Sequence, residues 1–316
     1  MVRPEIPYKD KPGIIPDEPM DSAGRKIFIY YLSRMLKYET AVRESDDPEG
    51  VHSMRVSIRR LRSALSTFED YYRLRIIKDY RKEFRGVATA LGEARDLDVA
   101  IHAGEFYAAT LDMEHRAAFQ GLLDAWSAQL AASRVTLRTT LNGTAYADLV
   151  DRFAVFASTP ERYGKSPDTD EPEPYLVRHV VPMLVVERNA AVRAYERVFE
   201  GEDLDTLHRL RIEAKKLRYA LESFAEVLGS QSNQVVNMVK KLQDDLGAIQ
   251  DTRTASSRIV EYAATATPAS ASAALEYLRV RKSERRHLLR AARATWRRFN
   301  QKSTQRALYK ALDSLL

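Results

Sequence analysis

One stretch of the chain is written twice. His52, Arg55, Arg59 and Arg62 stand at i, i+3, i+7 and i+10, and His208, Arg211, Lys215 and Arg218 repeat that spacing 156 residues later without a gap. At about 100° per residue these four positions span roughly 80° of a helix. Met54, Ile58, Leu61, Leu65 and Phe68 take the opposite arc in the first copy, as do Leu210, Ala214, Leu217, Leu221 and Phe224 in the second. Each copy therefore reads as an amphipathic helix with a core face and a row of cations. Any fold for this chain must seat two such helices. The duplicated cationic face points to one large anion held between two related halves. Arg60 and Lys216 fall on a side arc, open to a different surface.

The rest of the chain reads as helical. No proline interrupts residues 50–159 or 184–267, and both blocks are rich in Ala, Leu, Arg and Glu with a 3.6-residue apolar period. No convincing alternating strand is present. The period predicts helices at about 23–45, 50–72, 74–91, 94–109, 112–142 and 146–157 in the first half. In the second half it predicts about 175–200, 203–228, 232–249, 252–266, 269–300 and 304–315. Asp47 followed by Pro48 and Glu49 makes a helix start, Asp203 and Asp205 sit at the equivalent place, and Gly229 fits a helix C′ position. Residues 1–22 hold five of the twelve prolines and read as a flexible, extended tail. Residues 158–174, with Pro160, Pro167, Pro172 and Pro174, read as a linker. The expected organisation is thus a tail, a bundle at 23–157, a linker and a bundle at 175–316.

With 316 residues there is enough chain for a sizeable core. No cysteine is present, which excludes disulfides, thiolate metal sites and thiol nucleophiles. The first residues lack an apolar signal core, and no apolar run is long enough to span a bilayer, so a cytoplasmic protein is expected. The net charge of +6 says less than its distribution. Residues 52–62 hold four arginines and no acid, and 279–298 hold nine Lys and Arg against Glu284 alone. Such clusters suit an anionic partner.

A second pair of motifs extends the repeat. Leu91-Gly92 followed by Arg95, Asp96 and Asp98 corresponds to Leu246-Gly247 followed by Gln250, Asp251 and Arg253, at an offset of 155. Together the motifs resemble the CHAD (conserved histidine α-helical domain) family, over roughly residues 21–315. The resemblance implies an all-α protein of two antiparallel four-helix bundles related by internal duplication, with a pseudo-twofold axis. It further implies non-catalytic binding of inorganic polyphosphate along a basic surface and central pore, with association to polyphosphate granules. Some members carry a triphosphatase-type β-barrel domain, for which this chain leaves no room. The second half departs where Gln250 replaces Arg95 and Arg253 replaces Asp98. Lys215 and Lys216 replace Arg59 and Arg60 and keep the charge.

The expected polyphosphate ladder comprises His52, Arg55, Arg59, Arg60 and Arg62 with His208, Arg211, Lys215, Lys216 and Arg218. Successive rungs lie about 5–6 Å apart, and arginine forks engage two phosphate oxygens at once. Arg279, Lys282, Arg286, Arg290, Arg293 and Arg297 form a third stripe within an arc of about 80°. The comparable first-half helix offers only Arg134 and Arg138, so the basic surface should be lopsided. Arg81, Lys82, Arg85, Lys240 and Lys241 are candidates to extend it.

Other chemistries are weaker. Arginine neighbours disfavour a metal at the two histidines. Asp96 and Asp98 fit a helix cap and an arginine partner better than a metal pair. No Gly-rich phosphate loop, HExxH motif or Ser/His/Asp arrangement is present, so neither cofactor nor catalysis is expected. Nucleic acid is a weaker competing partner, because no helix-turn-helix or aromatic stacking platform accompanies the cations. The sequence sets no oligomeric state.

Overall fold

The computed structural model describes residues 5–45, 47–159, 164, 175–201, 203–313 and 315. Its helices are α1 (Met20–Glu44), α2 (Pro48–Thr67), a 3-10 turn at Glu69–Tyr71, α3 (Leu74–Ala108), α4 (Met113–Asn142) and α5 (Thr144–Ser158). They continue with α6 (Val177–Arg193), α7 (Leu204–Ser223), the single-turn α8 (Ala225–Leu228), α9 (Ser232–Ala263), α10 (Pro268–Phe299) and α11 (Lys302–Asp313). The protein is all-α. Among the described residues extended pairing is limited to two isolated bridges, Pro19 with Leu176 and Tyr72 with Gly164.

The two repeated helices, α2 and α7, start in the same way. Asp47 accepts hydrogen bonds from the Glu49 and Gly50 amides, with Pro48 at the first helical position. Asp203 accepts from the Asp205 and Thr206 amides. These caps satisfy two of the orphan donors at each start and set where each apolar arc begins. Met54, Ile58, Leu61, Leu65 and Phe68 are all fully buried, and so are Leu210, Ala214, Leu217, Leu221 and Phe224. Burying such side chains contributes roughly 1.5–3 kcal/mol each. Gly229, the expected C′ residue, follows α8 with φ +66°.

One buried cluster runs through both halves. Its centre is the ring pair Phe68 and Phe224, equivalent residues of the repeat whose centroids are 5.7 Å apart. On the N-terminal side Phe28 packs on Phe68, Phe153 and Phe156. A second cluster lies at the far ends of the long hairpins, where Leu97 of α3, Phe119 and Trp126 of α4, Ile259 of α9 and Tyr277 of α10 meet. Helices α2 and α7 pack on each other, and α4 packs on α10. The two halves are therefore tied at both ends, which leaves a space between them.

Two expectations change. The sequence places helix ends near Leu91 and Ile249, yet α3 and α9 run unbroken through both glycine motifs. Each glycine packs against an arginine of the neighbouring helix, at a distance where a methyl group would make ordinary contact. A Cβ on Gly92 would lie 3.5 Å from Arg55 Nε, and one on Gly247 would lie 3.6 Å from Arg211 Nε. Asp96 accordingly sits inside α3 and caps nothing, although its expected arginine partner is present.

The expected tail, residues 1–22, is held in place from Gly13 onward, and its first four residues lie outside the described ones. The Gly13 and Ile14 amides donate to the Glu226 carboxylate. The Arg178 and Val177 amides donate to the Pro16 and Glu18 carbonyls. Ile14 is buried and Met20 already begins α1. These bonds hold the segment across α6 and α8, elements of the opposite half. The expected linker lies outside the described residues except 158–159 and 164.

Candidate functional site

A cavity of about 580 Å³ opens between the halves. Helix α2 supplies His52, Arg55, Arg59 and Arg60 to its wall, and α7 supplies Arg211 and Arg218. Helix α9 adds Lys240, Asp244, Asp251 and Arg258, α3 adds Arg95 and Asp96, and α10 adds Tyr277 and Arg281. Nine Lys and Arg thus face three Asp, so the cavity carries net positive charge. The long unbroken α3 and α9 are what bring the glycine motifs opposite the His helices.

The three aspartates are exposed residues of the cavity wall. Arg55 Nη2 is 3.3 Å from Asp96 Oδ1. Desolvation raises the Asp251 pKa, the nearby Asp96 charge adds to that, and Arg211 and Arg55 oppose it. Equivalent residues of the repeat, Arg55 with Arg211 and Asp96 with Asp251, therefore share one charge cluster. At the side, Glu222 joins an arginine from each half: its Oε2 lies 2.8 Å from Arg60 Nη2, and its Oε1 accepts from Arg218 Nε at 2.6 Å. Arg218 also donates to Gln243 Oε1 at 3.3 Å.

Several cations have no carboxylate within ion-pair distance among the described residues. Arg59 is packed over the Tyr219 ring at 5.7 Å, and its Nε is buried without a hydrogen-bond partner. The Nε atoms of Arg211 and Arg62 are likewise buried and unpartnered. Lys215 is the most perturbed: burial, with Arg211, Arg59, Arg55 and Arg62 around it, brings its pKa down to about 8. Uncompensated, half-buried cations are costly in the free protein. A polyanion relieves both the desolvation and the mutual repulsion.

Lys215, which does not itself line the cavity, stands between it and a second group of cations. The Arg62 pKa is lowered by burial and then by Arg85 and Arg81. The row therefore runs from Arg55 and Arg59 past Lys215 to Arg62, Arg85 and Arg81. Arg81 is engaged by Glu69 at 2.7 Å, while Arg85 and Lys82 are exposed. Other expected residues lie outside the cavity. Lys216 is held by Glu213 and Lys241 by Asp245. The six cations of the third stripe all lie on the solvent side of α10, with Arg279 paired to Glu276.

The two histidines differ. His52 lines the cavity, and burial together with Arg95 lowers its pKa, so the imidazole is neutral at pH 7. His208 Nδ1 is 3.2 Å from Gln250 Oε1. Gln250 thus holds in place the histidine of its own half, at the position where the first half has Arg95. The other departure is settled by partner exchange: Asp98 pairs with Arg134, whereas Arg253 pairs with Asp205. Among the described residues no three His, Asp or Glu are grouped as for a metal ion.

Arg95, Arg258 and Arg281 were missing from the expected site. Each had a trace in the sequence. Arg95 is three residues after Gly92, and Arg258 is seven after Asp251, on the same helix face. Arg281 stands in the apolar arc of α10 one turn after the buried Tyr277, an unusual place for an arginine.

An all-helical protein with a basic cavity between two halves is the class that this fold and site define. The chain belongs to the CHAD family, whose domain matches residues 26–260. Two curated relatives, the uncharacterized proteins MT2285 and Rv2226 from two strains of Mycobacterium tuberculosis, are each 26% identical over 274 residues. The match covers 82% of this chain and 49% of each relative, so the chain spans about half their length. Among solved structures, the CHAD domain from the plant Ricinus communis has the same fold, with TM-score 0.71, 24% identity and coverage of 94% of this chain and 96% of that one. PptA from Streptomyces chartreusis gives TM-score 0.65 at 19% identity, covering 89% and 98%. No helix among the described residues is long and apolar enough to cross a membrane.

Proposed function

We propose that this protein binds inorganic polyphosphate, without catalysing a reaction on it, in the cavity between its halves. The observation that carries this reading is the set of half-buried cations, contributed by both repeats, that have no ion-paired carboxylate among the described residues: Arg59 and Arg211 in the cavity wall, with Lys215 beside them. Polyphosphate is a thin chain with about one negative charge per phosphorus, and it has no bases to accommodate. A row of arginine forks at helical spacing suits its evenly spaced oxygens. Outside the cavity, Arg62, Arg85 and the α10 stripe would meet further units at exposed, salt-screened contacts. Association with polyphosphate granules follows from such binding.

Titration with long-chain polyphosphate tests the reading. Binding should weaken steeply with salt, and reversal of Arg55, Arg59, Arg211 and Lys215 to Glu should abolish it. DNA or RNA displacing polyphosphate at equal phosphate concentration would favour a nucleic-acid binder instead. Release of orthophosphate in the presence of Mg²⁺, lost in Asp96→Asn, would establish an enzyme.

A further inference from the structure

Helix α2 has a second exposed side next to α1. A smaller cavity of about 160 Å³ lies there, lined by Tyr31, Arg34 and Tyr38 of α1 and by Glu49, Ser53 and Ser57 of α2. It shares His52, Val56 and Arg60 with the central cavity. Those three residues are spaced i, i+4 and i+8 and form one edge of the helix. They are therefore a common ridge with the large cavity on one side and the small one on the other. Val56, at the middle of the ridge, is short and uncharged.

The chemistry on the α1 side continues that of the cavity. Arg34 has no carboxylate within ion-pair distance among the described residues. Its guanidinium donates to the Tyr8 hydroxyl at 3.1 Å and lies over the Tyr30 ring at 5.5 Å. Lys37, one turn further and exposed, sits over the Tyr8 ring at 4.5 Å and is likewise without a carboxylate. Both cations are held by aromatic faces, which position them without neutralising them. Glu49 is the one acid in the small cavity. It accepts from Ser53 at 3.1 Å at the far end of α2, one turn before His52.

We infer that the groove between α1 and α2, with Arg34 and Lys37, is a second polyphosphate subsite, reached from the cavity over the ridge of His52, Val56 and Arg60. This inference rests on the proposed polyphosphate binding and adds to it a direction and a length requirement. A chain that fills only the cavity does not touch Arg34 or Lys37. A long chain leaves the cavity over Val56 and gains both.

The test compares tripolyphosphate with long-chain polyphosphate on the intact chain, for wild type, Lys37→Glu and Arg34→Glu/Lys37→Glu. Lys37 is exposed and outside the core, so its variant controls for folding. The expected result is that the double variant binds long chains about tenfold more weakly while keeping its tripolyphosphate affinity, since only the long chain loses charge-assisted contacts. The slope of log affinity against log salt should fall by about two for the long chain alone. Equal affinity of wild type and double variant for long chains, or equal losses for both ligands, overturns the subsite. Wild type binding neither ligand overturns the polyphosphate reading itself, and the subsite with it.

Discussion

Burial of Lys215, together with the charges of Arg211, Arg59, Arg55 and Arg62 around it, brings its pKa down to about 8, so holding this ammonium charged has a cost in the folded protein. The folded protein binds this proton less tightly than the unfolded chain does, whose ordinary lysine value is 10.5. The cost is therefore fully present below pH 8, shrinks as pH rises, and is gone above 10.5. Lys215→Met should raise the melting temperature of the free protein at pH 7 by about 2 °C, with the gain disappearing near pH 10.5. The same variant should bind polyphosphate more weakly at pH 7. A lower melting temperature would show that Lys215 has a stabilising partner. Glu222 is the counterpart. It is the carboxylate that holds Arg60 and Arg218 from opposite halves, and it is mostly buried. Glu222→Gln leaves those arginines facing each other and should cost about 3 kcal/mol in denaturant unfolding. Polyphosphate should restore part of that loss. An unchanged unfolding midpoint would remove Glu222 from this role.

At the scale of helices, the two motif glycines pack against arginines of the neighbouring helices, with space for a methyl group but not for a large side chain. A glycine inside a helix costs about 0.5–1 kcal/mol relative to alanine. At Gly92 an alanine Cβ would meet Arg55 at ordinary contact distance. Gly92→Ala should therefore stabilise the protein by about 0.5 kcal/mol with little effect on binding. Gly92→Leu should push Arg55 off Asp96 and weaken polyphosphate binding about tenfold, read by titration beside a thermal melt. Equal effects from both substitutions would show that the position of Arg55 does not depend on the space beside residue 92. This element also marks how far the sequence could be read. Helix faces were legible in α2 and α7, because a core arc and a cation arc are written into residues 3 and 4 apart. The continuity of α3 and α9 was not. A Leu-Gly pair beside acids reads locally as a stop, and the arginine that packs against the glycine comes from more than thirty residues away.

For the whole molecule, the seam between halves rests on rings that the repeat itself supplies. Phe68 and Phe224 are fully buried and in contact. Phe68→Ala and Phe224→Ala should each cost about 3–5 kcal/mol, and together less than the sum, because the second truncation enlarges a cavity the first has opened. Additive losses would place the two rings in separate cores. The cavity above this seam was only half legible in advance. Spacing assigns His52, Arg55 and Arg59 of α2, and Arg211 and Arg218 of α7, to one helix face, and these line the cavity; Arg60, on the side arc, lines it too, whereas Arg62, His208 and Lys215 of the same row do not. Arg258 and Arg281 depend on how the α9/α10 hairpin leans toward α3 and α4, which spacing does not encode. The α10 stripe was legible as six aligned cations on one helix face, and packing turns that face to solvent rather than to the cavity.

The central claim is that placement in the cavity, rather than bulk basic charge, creates the binding site. Calorimetric titration with long-chain polyphosphate at fixed salt tests it on two variants with equal charge change. One is Arg59→Glu/Arg211→Glu at the cavity, and the other is Arg286→Glu/Arg293→Glu on the α10 stripe. The cavity variant should lose about a hundredfold or more in affinity and the stripe variant less than about tenfold, because fully exposed charges are screened more than half-buried ones. Equal losses in the two variants would contradict the cavity as the site.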